Sequence, residues 1–453
     1  MEAELVVASS PTDAGISCWD LRSGAEHLRF RSCSSSPRGL TSVAGRFLAS
    51  SQLRDSKSSS SGSILYWSWN KPQPEVKSFP AEPINALVSN SEGTYIVGGG
   101  VSGEIYLWEV ATGRLLKKWH AHYRGVTGLV FSDDQSFLIS GAEDGSVRVW
   151  SLLMIFDDQR REEAKYLYEY SFSEHTLKVT DLVTGYGGCS AIIVSSSEDR
   201  TCKVWSLSRG KLLRNIVFPS IIDAVALDPG EHIFYAGGRD GKIYIAALNA
   251  QVNHSSNYGM HIIGSLSEHG KAITCLGLSM DGYLLVSGSE DGMVRVWDTK
   301  TRNITRVFRH AKGPVNNVLV VRQPSHLNPR ASTNSHAFSS RRHAVLPLPL
   351  EKYSNSSDEN TDTKAYIICQ TTYNNFTDTP YISSQTMQNQ IKELQQHGSS
   401  AATEMEMERL KLECKRSMQM VQQWKKLYEN LHQFCVSELL DGHVHDSASS
   451  RQV

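Results

Sequence analysis

Between Glu4 and Arg322 the chain repeats one pattern: short runs of alternating apolar and polar residues, broken by turn-forming clusters. The clearest unit runs from His122 to Trp150. Its runs VTGLVFS, SFLISGA and SVRVWSL are separated by Asp133-Asp134 and Glu143-Asp144-Gly145. Period-two alternation with such turns predicts three antiparallel strands joined by hairpins. The same unit carries His122, Ser140, Asp144 and Trp150, with Asp four residues after Ser and Trp six after Asp.

Strands ending in Trp recur at Trp19, Trp67, Trp108, Trp150, Trp205 and Trp297. The shorter intervals match the roughly 40–45 residues of a WD-type propeller blade. His175/Ser195/Asp199/Trp205 and His269/Ser287/Asp291/Trp297 repeat the polar set. A further unit, IIDAVALD, HIFYAGGR and KIYIAALN, keeps Asp240 but has Ala246 in place of Trp. Near the N-terminus Ser9, Asp13 and Trp19 have the right spacing and no His before them; His310 supplies one after the last unit. The simplest account is ring closure. Val315–Val321 becomes the innermost strand of a blade whose other strands are LVVASS, ISCWDL and HLRFR, which removes two exposed sheet edges. The expected fold is therefore all-β: a seven-bladed WD-repeat β-propeller over residues 1–322, closed by an N/C-terminal strand clasp.

Beyond the ring the pattern changes. Residues 323–400 are polar and linker-like, apart from VLPLPLEKY within 343–353. Its alternating prolines exclude helix or a central strand and predict an extended segment laid on a surface, its own or a partner's. AYIICQTTY can add one strand. Over 401–440, Met407, Leu410, Cys414, Ser417, Val421, Trp424, Tyr428, Leu431 and Cys435 follow three- and four-residue steps. That is the seam of an amphipathic, coiled-coil-like helix, read as a surface for a second copy or another protein, with Leu410, Val421, Trp424, Tyr428 and Leu431 as contacts. Residues 441–453 are expected to be a disordered tail.

Bulk composition narrows the function. A net charge of -1 gives no global field toward nucleic acid or anionic membrane; direct RNA contact stays an open question. Eight cysteines without CxxC or metal-ligand spacing point to a reducing compartment and no metal. No run approaches the ~20 apolar residues of a membrane span, and MEAELVVASS reads as a strand, not a signal peptide. Ser, His and Asp also make hydrolase triads. Here the set recurs in several units, is tied to a strand Trp and lacks a nucleophile elbow, so an internal hydrogen-bond network is the better reading. Gly98-Gly99-Gly100 reads as close strand packing, because no helix with Lys-Ser/Thr follows it. No catalytic residue and no cofactor is expected.

ISCWDLRSGAEHL with SPRGL (Ile16–Leu40), LWEVATGRLL (Leu107–Leu116) and HTLKVTDLVTGYGG (His175–Gly188) carry a resemblance. So do the blade without Trp at Ala246, the LPLP element at Leu346–Pro349 and the terminal helix. With these features the chain resembles the WD-repeat-containing protein eighteen family, whose plant member is called ROOT INITIATION DEFECTIVE three. This is the WD-repeat subunit of the Rix-type complex that matures the large ribosomal subunit. The resemblance implies a non-enzymatic scaffold that acts in internal-transcribed-spacer rRNA processing. Its implied partners are a helical-repeat and a HEAT-repeat subunit, a midasin-type AAA ATPase and the pre-large ribosomal subunit. It also implies a nuclear, nucleolar-to-nucleoplasmic location and dimerisation through the C-terminal helix. The alternative is a substrate receptor of a cullin-RING ubiquitin ligase, read from the short WDxR box Trp19-Asp20-Leu21-Arg22.

Overall fold

The computed structural model describes residues 4–12, 14–52, 62–157, 167–248, 261–310, 313–323 and 347–353. Among them the strands form seven antiparallel sheets, six of four strands and one of three. The alternation seen in the sequence sets each register. In the unit around His122, Val126–Phe131, Phe137–Ala142 and Val147–Ser151 pair in succession and Tyr168–Phe172 completes the sheet.

Numbering the blades from the N-terminus, the innermost strands are Asn317–Arg322 (blade 1), Ser35–Val43 (2), Ile84–Ser89 (3), Val126–Phe131 (4), Val179–Thr184 (5), Ile222–Leu227 (6) and Ile273–Leu278 (7). Each neighbours the next, and blade 7 returns to blade 1, so the ring is closed. Apolar side chains of adjacent blades merge into shared layers: Val6, Ala8 and Trp19 of blade 1 pack with Val286, Val296 and Phe308 of blade 7. Both faces of each sheet are thus covered, which no single hairpin achieves.

The clasp takes the expected form. Asn317–Arg322 pairs antiparallel with Glu4–Ser9, which pairs with Ile16–Asp20. HLRFR does not become a fourth strand. It contributes a single bridge, Ile16 to Phe30, beside a second from Trp19 to Glu26. The next blade opens at Ser35.

Gly98, Gly99 and Gly100 lie in the second strand of blade 3. A Cβ on Gly98 would stand 2.9 Å from both Trp108 and Ile84, so close packing excludes a side chain there. Asp13 and residues 401–440, with Leu410, Val421, Trp424, Tyr428 and Leu431, lie outside the described residues, as does AYIICQTTY. Of VLPLPLEKY, residues 347–353 are described, and they lie on this chain's own propeller.

Candidate functional site: polar sets, channel girdle and mouth

Each strand Trp brings an indole N–H into a dry core, where an unpartnered donor costs about 1–3 kcal/mol. In blade 4 Trp150 Nε1 donates to Ser140 Oγ at 2.8 Å, and that oxygen lies 2.7 Å from His122 Nε2. His122 Nδ1 lies 2.8 Å from Ser146 Oγ, which donates to Asp144 Oδ1. Blade 5 joins Trp205, Ser195, His175 and Asp199 at 2.9, 2.8 and 3.0 Å in turn. Blade 7 joins Trp297, Ser287, His269 and Asp291 at 2.8, 2.7 and 3.1 Å. One proton order satisfies the chains of blades 4 and 5: indole N–H to hydroxyl, hydroxyl to Nε2, and Nδ1–H on to the carboxylate side. In blade 7 Arg295 Nη1 also meets His269 Nδ1 and donates to Asp291 Oδ2 at 2.9 Å.

Burial pushes the His122, His175 and His269 imidazoles below their ordinary pKa, opposed by the neighbouring carboxylates. Burial alone would raise Asp144, Asp199 and Asp291. Hydrogen bonds from the histidines and the turn outweigh it and hold all three below the usual carboxylate range. Ser140, Ser195 and Ser287 are fully enclosed, so no substrate reaches their hydroxyls.

In blade 1, Ser9 does not take the hydroxyl's place beside Trp19. Ala8, not Ser9, lies opposite Ser17, two residues before Trp19; Ser140 likewise lies opposite Arg148, two before Trp150. One extra residue in the Ser9–Ile16 hairpin shifts the phase, and a shift of one turns a side chain to the opposite face. Ser9 therefore faces Ser35 Oγ at 2.9 Å and Asn317 Nδ2 at 3.1 Å. Trp19 stacks on Phe308 with ring centroids 5.0 Å apart. His310 N donates to Gly292 O, as His122 N donates to Gly103 O, so its backbone keeps the repeat position.

The other blades replace the set with different chemistry. In blade 6 Phe218 takes the histidine's backbone place, and Ala236 and Ala246 take those of Ser and Trp. The retained Asp240 accepts from Tyr244 Oη instead, so losing the other polar partners together leaves nothing orphaned. In blade 3 Glu82 accepts from Ser102 Oγ, Ser102 N and Tyr106 Oη, so a carboxylate caps the turn instead of a histidine.

A second network was missed at the sequence level. In six blades, all but blade 2, a β-branched residue followed by a small polar one opens or directly precedes the innermost strand: Ile84-Asn85, Val126-Thr127, Val179-Thr180, Ile222-Asp223, Ile273-Thr274 and Val315-Asn316. That recurring pair was the available signal. Its polar members join blade to blade around the channel. Asn316 Nδ2 donates to Ser35 O at 2.6 Å and Ser36 Oγ to Asn85 O at 2.6 Å. Asn85 Nδ2 donates to Val126 O at 3.4 Å, Thr127 Oγ1 to Val179 O at 2.6 Å and Thr180 Oγ1 to Ile222 O at 2.6 Å. Thr274 Oγ1 donates to Val315 O. The step from blade 6 to blade 7 falls on Asp223, whose side chain is turned to Arg239 instead.

Arg38 fills that step from across the channel. Its Nη2 donates to Asp223 O at 2.7 Å and its Nη1 to Thr274 O at 3.2 Å, joining blades 6 and 7. Its Nε pairs with Asp181 Oδ1 of blade 5 at 2.6 Å. The SPRGL stretch makes this reach possible through a bulge between Ser35 and Leu40, with Arg38 at φ +58°. Burial raises the Asp181 carboxyl, opposed by the Arg38 guanidinium and the Val225 and Leu182 amides.

Around Arg38 opens a cavity of about 900 Å³. Its charged lining balances Arg38, Lys178, Arg239 and Lys271 against Glu143, Glu198, Asp223 and Glu290. Arg239 bridges Asp223 and Glu198 at 2.8 and 2.6 Å, and Lys178 meets Glu143 at 3.3 Å. A balanced, largely paired mouth is not a phosphate-tracking surface, which needs clustered Lys and Arg. Among the described residues no His/Cys/Asp/Glu group has metal-ligand geometry.

Seven closed blades, Trp–Ser–His–Asp chains in three of them and a hydrogen-bonded channel define a WD-repeat β-propeller. The WD domain, G-beta repeat family model matches residues 113–151, 167–206 and 260–298, the segments carrying the three complete sets. Protein ROOT INITIATION DEFECTIVE 3 of Arabidopsis thaliana is 57% identical over 441 residues, covering 96% of this chain and 98% of that protein. WD repeat-containing protein 18 of Homo sapiens is 36% identical over 313 residues, 68% of this chain and 69% of its own length. Pre-rRNA-processing protein IPI3 of Yarrowia lipolytica is 28% identical over 332 residues, 70% of this chain and 75% of its own. The chain belongs to the family of ROOT INITIATION DEFECTIVE 3 and WD repeat-containing protein 18.

Proposed function

We propose that the chain is a non-catalytic scaffold in large-ribosomal-subunit maturation, needed for internal-transcribed-spacer rRNA processing in the nucleus. The observation that carries this reading is relatedness along most of the chain to a group that includes a protein named for pre-rRNA processing. The architecture suits the role. Its Ser–His–Asp constellations are sealed inside the blades, and the closed ring offers firm rims for other proteins. The partners proposed from the resemblance are the helical-repeat and HEAT-repeat subunits of a Rix-type complex, a midasin-type AAA ATPase and the pre-large subunit. Association with a second copy through residues 401–440 belongs to the same proposal.

The ligase-receptor alternative gains no support. Trp19 of the WDxR box is buried against Phe308, and Arg22 is held by Asp281 of blade 7 at 3.0 Å. Purification of the tagged chain from nuclear extract tests both readings. Large-subunit precursor proteins and spacer-containing pre-rRNA should accompany it. Recovery of a cullin adaptor without them, or of neither, overturns the scaffold reading.

A further inference from the structure

Trp108 of blade 3 lacks the hydroxyl that serves Trp150, Trp205 and Trp297, because Gly98 stands in that position opposite Tyr106. Its indole N–H donates instead to the backbone oxygen of Glu351, at 2.9 Å, from the segment that follows the ring. Three other contacts fix the same short stretch. Leu350 N donates to Ser78 Oγ at 2.9 Å, Glu351 N to Gly113 O at 2.8 Å, and Leu115 N to Glu351 Oε2 at 3.3 Å. Leu350 is 4% exposed and joins a cluster with Phe47, Tyr66 and Trp108.

The receiving surface is shaped by the propeller itself. The outermost strand of blade 2 is only Val76–Ser78, which leaves room beside blade 3. Gly113 holds φ +72°, and a Cβ there would collide with the Pro349 carbonyl oxygen. The groove thus presents one apolar pocket, an indole donor, a serine hydroxyl, a free carbonyl and the Leu115 amide. That set reads an extended backbone with Leu followed by Glu. Proline before the Leu keeps such a segment extended and lowers the ordering cost of binding.

The hold is small. Leu348 is 53% exposed and Tyr353 67% exposed, so the seat rests on Pro347, Leu350 and Glu351. We infer that the rim between blades 2 and 3 is a peptide-acceptor groove for extended Pro-x-Pro-Leu-Glu segments, closed by the chain's own residues 347–351 as a displaceable latch. The partner it fits is a protein carrying an unfolded segment of that pattern. Being part of the same chain holds the latch at an effective concentration on the order of millimolar, so a competing segment enters by exchange.

The test uses the full-length chain and a fluorescent peptide of residues 343–354. Leu350→Asp, which empties the pocket from within, should bind the peptide with a Kd on the order of micromolar. Wild type should bind it about 100-fold or more weakly, because the latch competes in cis. A peptide with Asp in place of its Leu350 should not bind the Leu350→Asp chain. A folded Leu350→Asp chain that ignores the peptide, or wild type binding it equally well, overturns the inference. Hydrogen exchange on wild type decides the matter if Leu350→Asp does not fold. Leu350 and Glu351 amides should exchange about 100-fold or more faster than those of the blade 3 strands; equal protection means a permanent element and no acceptor groove. Neither measurement involves ribosomal material, so its failure is separable from failure of the scaffold reading.

Discussion

Arg38 of blade 2 and Asp181 of blade 5 meet across the channel, Nε to Oδ1 at 2.6 Å, and both are largely shielded from solvent. The guanidinium also joins blades 6 and 7 where the girdle's own residue, Asp223, is turned to Arg239. One side chain therefore ties four blades together.

Removing the Arg38 side chain leaves the Asp181 charge nearly buried and without its cation. Arg38→Met should cost about 3 kcal/mol, the low end for breaking a buried pair. Adding Asp181→Asn should recover part of this, since an amide oxygen still accepts from Val225 N at 2.8 Å. Urea denaturation of wild type, single and double variants checks it; an Arg38→Met midpoint equal to wild type refutes the strut.

Ser140→Ala and Ser195→Ala each leave an indole N–H and an imidazole nitrogen buried without the shared hydroxyl. Each should lower stability by about 2 kcal/mol, with Trp150 or Trp205 fluorescence changed. Ser132 sits in a turn away from this network, where its Oγ meets Asp134 Oδ1 at 2.6 Å. Ser132→Ala should cost less and leave the indole emission alone. Equal losses at the two kinds of site contradict the network account.

Stability should fall on mild acidification. The three set histidines have folded pKa values below the unfolded value of about 6.5, so the unfolded chain takes up protons first as pH drops. Their contribution is intact above that value and declines below it. Asp144, Asp199 and Asp291, also depressed, extend the loss below about pH 4. Asp181, raised by burial, acts in the opposite sense just above its unfolded value. Urea midpoints at pH 7.5 and 5.5 give the sign directly. A midpoint that rises toward pH 5.5 excludes neutral, buried imidazoles.

Ending the chain after Gly313 removes the strand that pairs with Glu4–Ser9 from Glu4↔Arg322 to Ser9↔Asn317. It also takes away Asn316 and Asn317, whose amides donate to Ser35 O and Ser36 O of blade 2. The whole ring should open, read as rapid proteolysis and loss of a single cooperative melt. A truncated chain melting like the intact one contradicts the clasp.

How much of this was legible beforehand depends on how local the cause is. The Ser–Asp–Trp spacings fix three polar sets because each lies within one or two hairpins and follows the strand period. The same spacing misled at Ser9, where one added residue in the hairpin reversed the facing; counting residues does not show where a loop absorbs one. The HLRFR run alternates like a strand, yet it makes only the Phe30 bridge to Ile16, and alternation does not show whether a neighbouring strand takes up the pairing.

By itself the sequence determined the blades, their number and their closure, because period-two alternation and tight turns specify strands, and an open array cannot hide its edges. It did not determine that Arg38 spans the channel, that Asp223 breaks the girdle, or that Leu350 and Glu351 settle on blade 3. Each of those depends on groups distant in the chain arriving within hydrogen-bond reach. Only the folded ring, by fixing which carbonyls face the channel and which indole lacks a hydroxyl, decided where these side chains are held.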